Sequence, residues 1–219
     1  MIVDERIITF INSLDTKNSE ILEDIEREAL ADNVPIIRRE MQSFLKVLLM
    51  VKKPMRVLEV GTAVGFSALL MSEYVPEECA ITTIENYEKR IPIARQNFVR
   101  AGKEKKITLL EGDAMDVLKT LEGPYDFIFM DAAKGQYIHY LPEILRLLAK
   151  GGILVSDNVM QDGDVIESRF AVERRDRTIH ARMREYLYEL KHNDALVTSI
   201  IPLGDGVALS VKKEVGTDI

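Results

Sequence analysis

The chain is poor in the residues that build disulfide-bonded, zinc-binding or membrane-spanning proteins. Its one cysteine, Cys79, excludes an internal disulfide and a cysteine-based zinc site. Tryptophan is absent, and no apolar run reaches the roughly 18 residues that a membrane helix needs. The first residues, MIVDERIITF, lack the basic and long apolar regions of a secretory signal. We therefore expect a cytoplasmic protein, and 219 residues suffice for one domain with a sizeable core.

Positive charge is scarce overall but concentrated in one segment. The net charge of −7, from 29 basic and 36 acidic residues, argues against a protein that coats nucleic acid non-specifically. Residues 169–184, RFAVERRDRTIHARMR, nevertheless hold six arginines against Glu173 and Asp176. This segment is either a solvated helix face or a surface that grips phosphates.

Apolar spacing predicts helices first and repeated strand–helix units afterwards. In the first 50 residues apolar side chains recur three and four positions apart, with a break at Pro35. Beyond Pro54, helical patterns separate five short apolar runs, at 56–60, 80–85, 106–112, 125–131 and 152–158. A long helix is predicted at about 172–192, before a terminal antiparallel pair, ALVTSIIPL and GVALSVKK. We predict one α/β domain, with a helical cap at 1–53 and, at 54–219, a mostly parallel sheet with helices on both faces.

Polar features end the first three runs, where ligands bind in open parallel sheets. Gly61 and Gly65 of EVGTAVGFS allow close backbone approach, but their spacing matches neither the dinucleotide fingerprint nor a phosphate-binding P-loop. Glu85 either accepts hydrogen bonds from ribose hydroxyls or is a solvated carboxylate. Asp113 and Ala114 stand where an adenine edge can be read, and Asp113 can also cap the next helix. In this order the three features resemble the cofactor site of class I S-adenosylmethionine-dependent methyltransferases.

The fourth and fifth runs end in a second set of polar residues. Asp131 and Lys134 follow FIFM, and Asp157 and Asn158 follow GILVS. If the two strands are neighbours, two carboxylates and an amide oxygen converge, a set suited to Mg²⁺, Mn²⁺ or Ca²⁺ rather than zinc. Lys134 would then orient the acceptor or take its proton. In the alternative interpretation, Asp131 caps a helix, Asp-Asn opens a turn and Lys134 is an exposed lysine at a helix start.

Together these motifs resemble the cation-dependent O-methyltransferase family, which includes catechol and caffeoyl-CoA O-methyltransferases, over nearly the whole chain. The resemblance implies a Rossmann-like seven-stranded sheet whose last strand is antiparallel, extra N-terminal helices and a homodimer. It implies that Asp131, Asp157 and Asn158 hold the metal, and that Lys134 and Asp131 are catalytic. The implied S-adenosylmethionine contacts are Ile37, Gly61, Thr62, Ser67, Glu85, Asp113, Ala114 and Asp131.

One branch of the family is more similar, the bacterial enzymes that methylate 5-hydroxyuridine at the tRNA wobble position to 5-methoxyuridine. The phrases GTAVGFSA, DAAKGQY, DNV and IIPLGDG resemble that branch. Ala132 and Ala133 stand where catechol enzymes carry bulky aromatics, which argues against a catechol-specific pocket. The 5-hydroxyl and 4-oxo oxygens of the uracil would imitate the adjacent oxygens of a catechol. The resemblance thus implies a tRNA anticodon-loop partner, with candidate contacts at Arg38, Arg39, Arg169, Arg174, Arg175 and Arg177.

Three other functions stay open at this point. The first keeps the chemistry but acts on small catechol-like phenols or a CoA thioester. The second is a nicotinamide-dependent Rossmann oxidoreductase, against which the glycine spacing counts. The third is a non-catalytic RNA-binding protein on the same fold, which the intact set of Asp131, Lys134, Asp157 and Asn158 disfavours.

Overall fold

The computed structural model describes residues 2–214, which form eight α-helices and seven β-strands in the described part of the chain. The helices are α1 Glu5–Ser13, α2 Glu20–Ala31, α3 Arg39–Lys52, α4 Phe66–Tyr74, α5 Ile91–Arg100, α6 Ala114–Thr120, α7 Tyr137–Leu147 and α8 Arg177–His192. The strands are β1 Arg56–Val60, β2 Ala80–Glu85, β3 Ile107–Glu111, β4 Tyr125–Met130, β5 Leu148–Ser156, β6 Leu196–Ile201 and β7 Val207–Lys212. Short 3-10 turns occupy Lys134–Gln136 and Gln161–Ile166.

The strands form one seven-stranded sheet in the order β3-β2-β1-β4-β5-β7-β6. β1, β2 and β3 pair in parallel, as do β4 and β5. β7 runs antiparallel to both β5 and β6. The predicted fold, a mostly parallel sheet with helices around it and an antiparallel last strand, is confirmed.

The chain divides into two compact units. Within the described residues, one unit comprises Glu5–Val117, and the other comprises residues 118–214 with residues 2–4. The predicted single domain with a division after residue 53 stays a prediction. The division matters for the chemistry because the predicted cofactor contacts other than Asp131 belong to the first unit, and the predicted metal ligands belong to the second.

In the first unit, α2 and α3 bury a polar network beside the segment that joins them. Gln42 donates hydrogen bonds to Glu26 (3.1 Å) and to the Ile37 carbonyl (3.1 Å), and Glu26 also pairs with Arg39 at 3.2 Å. Gln42 and Glu26 are buried, so these bonds satisfy groups that would otherwise be costly to remove from water. They hold the VPII segment, and with it Ile37, in place.

In the second unit, β4 is a nearly continuous buried run, as expected for a strand covered on both faces. Phe127, Ile128, Phe129 and Met130 are fully buried, and each such side chain contributes roughly 1.5–3 kcal/mol by leaving water. This core fixes the direction in which β4 ends, and therefore where Asp131 lies.

Two predicted boundaries differ from the structure. The fifth apolar run is predicted to begin at residue 152, after a helical pattern that starts at Tyr137. In the structure the helix ends at Leu147, and β5 begins at Leu148 because that residue pairs with Tyr125 of β4, ahead of a register shift. The long helix predicted from residue 172 begins only at Arg177. Val172 lies before it, buried in the preceding loop, so tertiary packing rather than helical periodicity decides its conformation.

Candidate functional site

The glycine turn after β1 has the backbone geometry that the sequence predicts. Gly61 and Gly65 have φ values of 104° and 85°, a region that favours glycine. A Cβ atom at Gly65 would stand 2.5 Å from the Phe98 ring. The N–H groups of Gly61 and Thr62 both donate to the Ile84 carbonyl at 3.1 Å. The turn is therefore tied to β2 and leads directly into α4, where Ser67 lies in the first turn.

Glu85 is neither solvated nor wholly free for a ligand. Its Oε2 accepts a hydrogen bond from Ala63 N at 2.7 Å, and its Oε1 accepts from Asn86 N at 3.0 Å and Tyr87 N at 2.9 Å. The side chain is buried. A carboxylate offers about four acceptor positions, and three are used by the backbone. One acceptor position, on Oε2, therefore remains for the predicted hydrogen bonds from the ribose hydroxyls.

A threonine pair beside the turn was not foreseen. The Thr62 and Thr83 hydroxyls are 2.5 Å apart, and Thr83 donates to Glu59 at 2.5 Å. All three residues are buried. The Thr62 hydroxyl is consequently committed to the core, its N–H already donates to the Ile84 carbonyl, and its carbonyl already accepts from Gly65 N at 2.8 Å. For the predicted cofactor contact, Thr62 retains the second acceptor position of that carbonyl. The sequence does carry a sign of this network, because Glu59 is a charged residue between the apolar Leu58 and Val60 of β1.

The third strand end supports the capping interpretation of Asp113. Its Oδ1 accepts a hydrogen bond from Met115 N at 2.9 Å, and its carbonyl accepts from Val117 N at 3.0 Å. Asp113 therefore caps α6, which begins at Ala114. The carboxylate is exposed, so capping leaves its second oxygen able to meet a ligand.

β4 and β5 bring the predicted metal ligands to adjacent strand ends. Met130 is the register partner of Ser156, and Asp157 N donates to the Met130 carbonyl at 2.9 Å. Asp131 and Asp157 thus follow paired positions. Asn158, next in the chain, adopts φ 55°, and its N–H donates to Asp157 Oδ1 at 2.7 Å.

Electrostatics show that the two carboxylates act on each other. Burial raises the pKa of Asp157 to about 7, and the negative charge of Asp131 adds to the rise. The positive charge of Lys134, whose Nζ lies 2.7 Å from Asp131 Oδ1, acts in the opposite direction and lowers the pKa of Asp157. Asp131 and Asp157 carry two negative charges against the single positive charge of Lys134, and a bound cation would neutralise the remainder.

The donor set fits a hard divalent cation. Among residues 2–214 no group of three or more histidine, cysteine, aspartate or glutamate side chains is placed to hold a metal ion. Asp131, Asp157 and Asn158 form a different kind of set, with two carboxylates and one amide oxygen, which are the ligands that Mg²⁺ and Ca²⁺ prefer. The placement of these residues directly after the paired ends of β4 and β5, together with the raised pKa of Asp157, favours such an ion here.

Lys134 is held as a positively charged donor. Burial disfavours its charge, but the Tyr137 oxygen and the charges of Asp131 and Asp157 outweigh burial, so the pKa of Lys134 is raised above its ordinary value. Its Nζ donates to Asp131 and, at 3.1 Å, to the Tyr137 hydroxyl. An ammonium cannot accept a proton, so this arrangement favours the orienting role over proton acceptance. Tyr137 itself was not foreseen.

Most arginines of the basic segment serve the fold. Arg177, Arg182 and Arg184 donate to the carbonyls of Val172 (3.2 Å), Gly135 (3.1 Å) and Val165 (2.9 Å). Arg175 pairs with Glu173 at 3.0 Å and Asp176 at 3.3 Å. In the first unit, Arg39 pairs with Glu26, and Arg38 also has a partner.

Arg169 and Arg174 differ from the other predicted tRNA contacts. Both are exposed, and neither forms a hydrogen bond or ion pair with another residue of the described chain. Phe170, between them, is 86% exposed. We call Arg169, Phe170 and Arg174 the exposed tip of this loop. The loop is held by α8, because Nε2 of the buried His180 lies 3.1 Å from the Glu167 carbonyl.

Comparison with known proteins places this geometry in a family. A model of the O-methyltransferase family matches residues 12–213. A caffeoyl-CoA O-methyltransferase of Populus trichocarpa is 33% identical over 76% of this chain and 70% of its own length. A catechol O-methyltransferase of Niastella koreensis is 35% identical over 57% of this chain, and the match spans 58% of that protein.

A solved structure agrees with these relatives. An SAH-bound methyltransferase of Podospora anserina is 27% identical with a TM-score of 0.87, over 96% of this chain and 95% of that one. None of the helices within residues 2–214 is both long and apolar enough to cross a membrane. The enzyme class predicted from the strand-end motifs is confirmed, and these relatives give no support to a nicotinamide oxidoreductase. The chain belongs to the O-methyltransferase family.

Proposed function

We propose that this protein is a divalent-cation-dependent enzyme that transfers the methyl group of S-adenosylmethionine to one of two adjacent oxygens of a catechol-like or caffeoyl-CoA-like phenol. The observation that carries the proposal is the strand-end set of Asp131, Asp157 and Asn158 beside Lys134. The relatives named for catechol and caffeoyl-CoA substrates support this acceptor class.

The residues divide the work as follows. Asp131, Asp157 and Asn158 would hold the cation, which lowers the pKa of an acceptor hydroxyl when it is bound. Lys134 donates hydrogen bonds and would orient the acceptor oxygen. In the first unit, the Gly61–Gly65 turn, Ser67, Glu85 and the segment at Asp113 would bind the methyl donor, and Ile37 would cover it. Holding both reactants in line accounts for several kcal/mol of barrier lowering, up to about 7–11.

The direct test is methyl transfer to caffeoyl-CoA and to catechol, followed by mass spectrometry. We expect methylated product with Mg²⁺ or Mn²⁺, loss of product with a chelator, and recovery on metal addition. Activity that persists in chelator at full rate would contradict the proposal. Rates with Mg²⁺, Mn²⁺ and Ca²⁺ would identify the preferred ion.

A second acceptor, tRNA 5-hydroxyuridine, is favoured by the exposed tip of Arg169, Phe170 and Arg174. Arginines contact phosphates, and an exposed aromatic ring gives an unpaired base a surface for stacking, worth about 1–3 kcal/mol per base. The tip is fixed to α8 rather than free, which limits the entropy lost on binding. The two residues after Asp131, Ala132 and Ala133, have small side chains, which suits a larger acceptor than a catechol.

Measuring the rates of methyl transfer to hydroxylated tRNA and to caffeic acid derivatives in one assay distinguishes the two proposed acceptors. Hydroxylated tRNA should be methylated faster than caffeic acid derivatives if it is the substrate, and slower or not at all otherwise. For tRNA, R174A should reduce the slope of log affinity against log salt by about one, and F170A should weaken binding without changing that slope. R95A removes an exposed arginine from the first unit and serves as the matched control.

The assembly is also a proposal. α1 has no buried residue: Ile7, Phe10 and Ile11 on the helix, and Leu14 directly after it, are exposed apolar side chains. We propose that a second copy of the chain covers this face, giving a homodimer. Light scattering should report twice the monomer mass, and F10E should shift it to the monomer value. The cytoplasmic location stays a prediction.

A further inference from the structure

Tyr137 joins four parts of the candidate site through one phenolic oxygen. That oxygen lies 3.0 Å from the carbonyl of Met130, the last residue of β4, and 3.2 Å from the carbonyl of Asp157 after β5. It accepts hydrogen bonds from Ala132 N at 3.2 Å and Lys134 Nζ at 3.1 Å. We infer that Tyr137 is a positioning residue, which sets the relative placement of the cation ligands and Lys134; this inference rests on the proposed function.

The chemistry of a phenol suits this task. A tyrosine hydroxyl donates one hydrogen bond and accepts others, so it can serve a carbonyl, a backbone N–H and an ammonium together. Burial raises the pKa of Tyr137 above its ordinary value, which keeps the hydroxyl protonated and able to donate. A phenylalanine would fill the same space but could do none of this.

The surroundings make the phenol immobile. Tyr137 is fully buried at the start of α7, and its ring stands edge-on to Tyr186, with centroids 5.4 Å apart. The turn that carries Lys134 is also held from α8, because Arg182 donates to the Gly135 carbonyl at 3.1 Å. Lys134 therefore has a fixed backbone, and Tyr137 fixes its side chain.

Tyr137 acts through its neighbours and touches no reacting atom. Asp131 and Asp157 follow the two strand ends that its oxygen bridges, so a change in that bridge moves both carboxylates. Residues that hold ligands in this way commonly change metal affinity or activity by about 10–100-fold when they are replaced.

The test compares Y137F with Y186F. Tyr186 is an equally buried phenol whose hydroxyl lies 2.6 Å from Ser156 Oγ, so Y186F removes a buried hydroxyl without touching Lys134 or the strand-end carbonyls. For each variant we would measure Mn²⁺ affinity by calorimetry, the KM for S-adenosylmethionine, kcat for methyl transfer and urea stability.

We expect Y137F to lower kcat by about tenfold or more and to weaken Mn²⁺ binding severalfold, with an unchanged KM for the methyl donor. Y186F should keep kcat and Mn²⁺ affinity near those of the parent protein even where its stability falls equally. Equal effects of the two variants on kcat and Mn²⁺ affinity would overturn the inference. If the parent protein methylates no acceptor, the proposed function fails, and the Mn²⁺ comparison still decides the role of Tyr137.

Discussion

Two buried carboxylates lie at the ends of different strands, Glu85 at the end of β2 and Asp157 directly after β5, and their surroundings differ. Glu85, in the first unit, accepts three backbone hydrogen bonds at 2.7–3.0 Å. Asp157, in the second, accepts one, from Asn158 N, and burial together with the negative charge of Asp131 raises its pKa to about 7. The backbone already supplies three hydrogen-bond donors to Glu85 without any ligand. The ionised form of Asp157, in contrast, is disfavoured by burial and by Asp131, and a bound cation would stabilise it. Glu85 is therefore suited to neutral hydroxyl groups, and Asp157 is suited to a cation.

Replacing Asp157 should produce the largest effect. Asp157→Asn keeps the shape and the acceptor for Asn158 N but removes the charge, so we expect Mn²⁺ binding to be lost and methyl transfer to fall about 100-fold or more. Binding of S-adenosylmethionine, measured by calorimetry, should change little. A parallel loss of both would instead indicate that the variant is misfolded, which circular dichroism would reveal.

Replacing Glu85 should give the converse result. Glu85→Gln leaves one oxygen and introduces an NH₂ group that can face Ala63 N, a donor against a donor. We expect stability to fall by about 1–3 kcal/mol and the KM for S-adenosylmethionine to rise about tenfold, while Mn²⁺ affinity stays unchanged. Weakened Mn²⁺ binding in this variant would break the contrast between the two carboxylates.

The pH dependence of stability sharpens the contrast further. The folded pKa of Asp157 is about 7, above the unfolded value of about 3.9. Between these values the folded state binds more protons, so stability should fall as pH rises, by up to about 1.4 kcal/mol per pH unit. Below about pH 4 this penalty is absent, and above about pH 7 it is complete.

Urea unfolding in the presence of a chelator at pH 5, 6, 7 and 8 measures how the free energy of unfolding depends on pH. The difference between the parent protein and Asp157→Asn cancels other titrating groups, and it should grow as pH rises. Saturating Mn²⁺ should reverse the trend for the parent protein, because a bound cation favours the ionised carboxylate. A difference that is flat with pH would show that Asp157 titrates normally.

The smallest effect is expected at Asp113. Its exposed carboxylate caps α6, and Asp113→Ala should cost about 1 kcal/mol of stability. Asp113→Asn keeps an acceptor for Met115 N and should be nearly neutral. If Asp113 also reads the cofactor, the alanine variant should raise the KM for S-adenosylmethionine, and Mn²⁺ affinity should stay constant in both.

Sequence reasoning succeeded where a local pattern sufficed. The glycine turn needs positive φ at Gly61 and Gly65, and both have it. Asp131 and Asp157 follow buried apolar runs, and parallel pairing brings their strand ends together. It failed where long-range pairing overrode periodicity, as at Leu148, which the pattern assigned to a helix and which pairs with Tyr125 in the sheet.

The amino-acid sequence by itself determined the alternation of strands and helices, the strand-end carboxylates and the family, because each depends on residue type at short spacing. Only the tertiary structure decided which groups are already satisfied. It turned the Thr62 hydroxyl into the core, gave three of the Glu85 acceptor positions to the backbone and placed Tyr137 between two strands and Lys134. Hydrogen bonds and burial depend on which distant residues meet in space, so spacing along the chain does not reveal them.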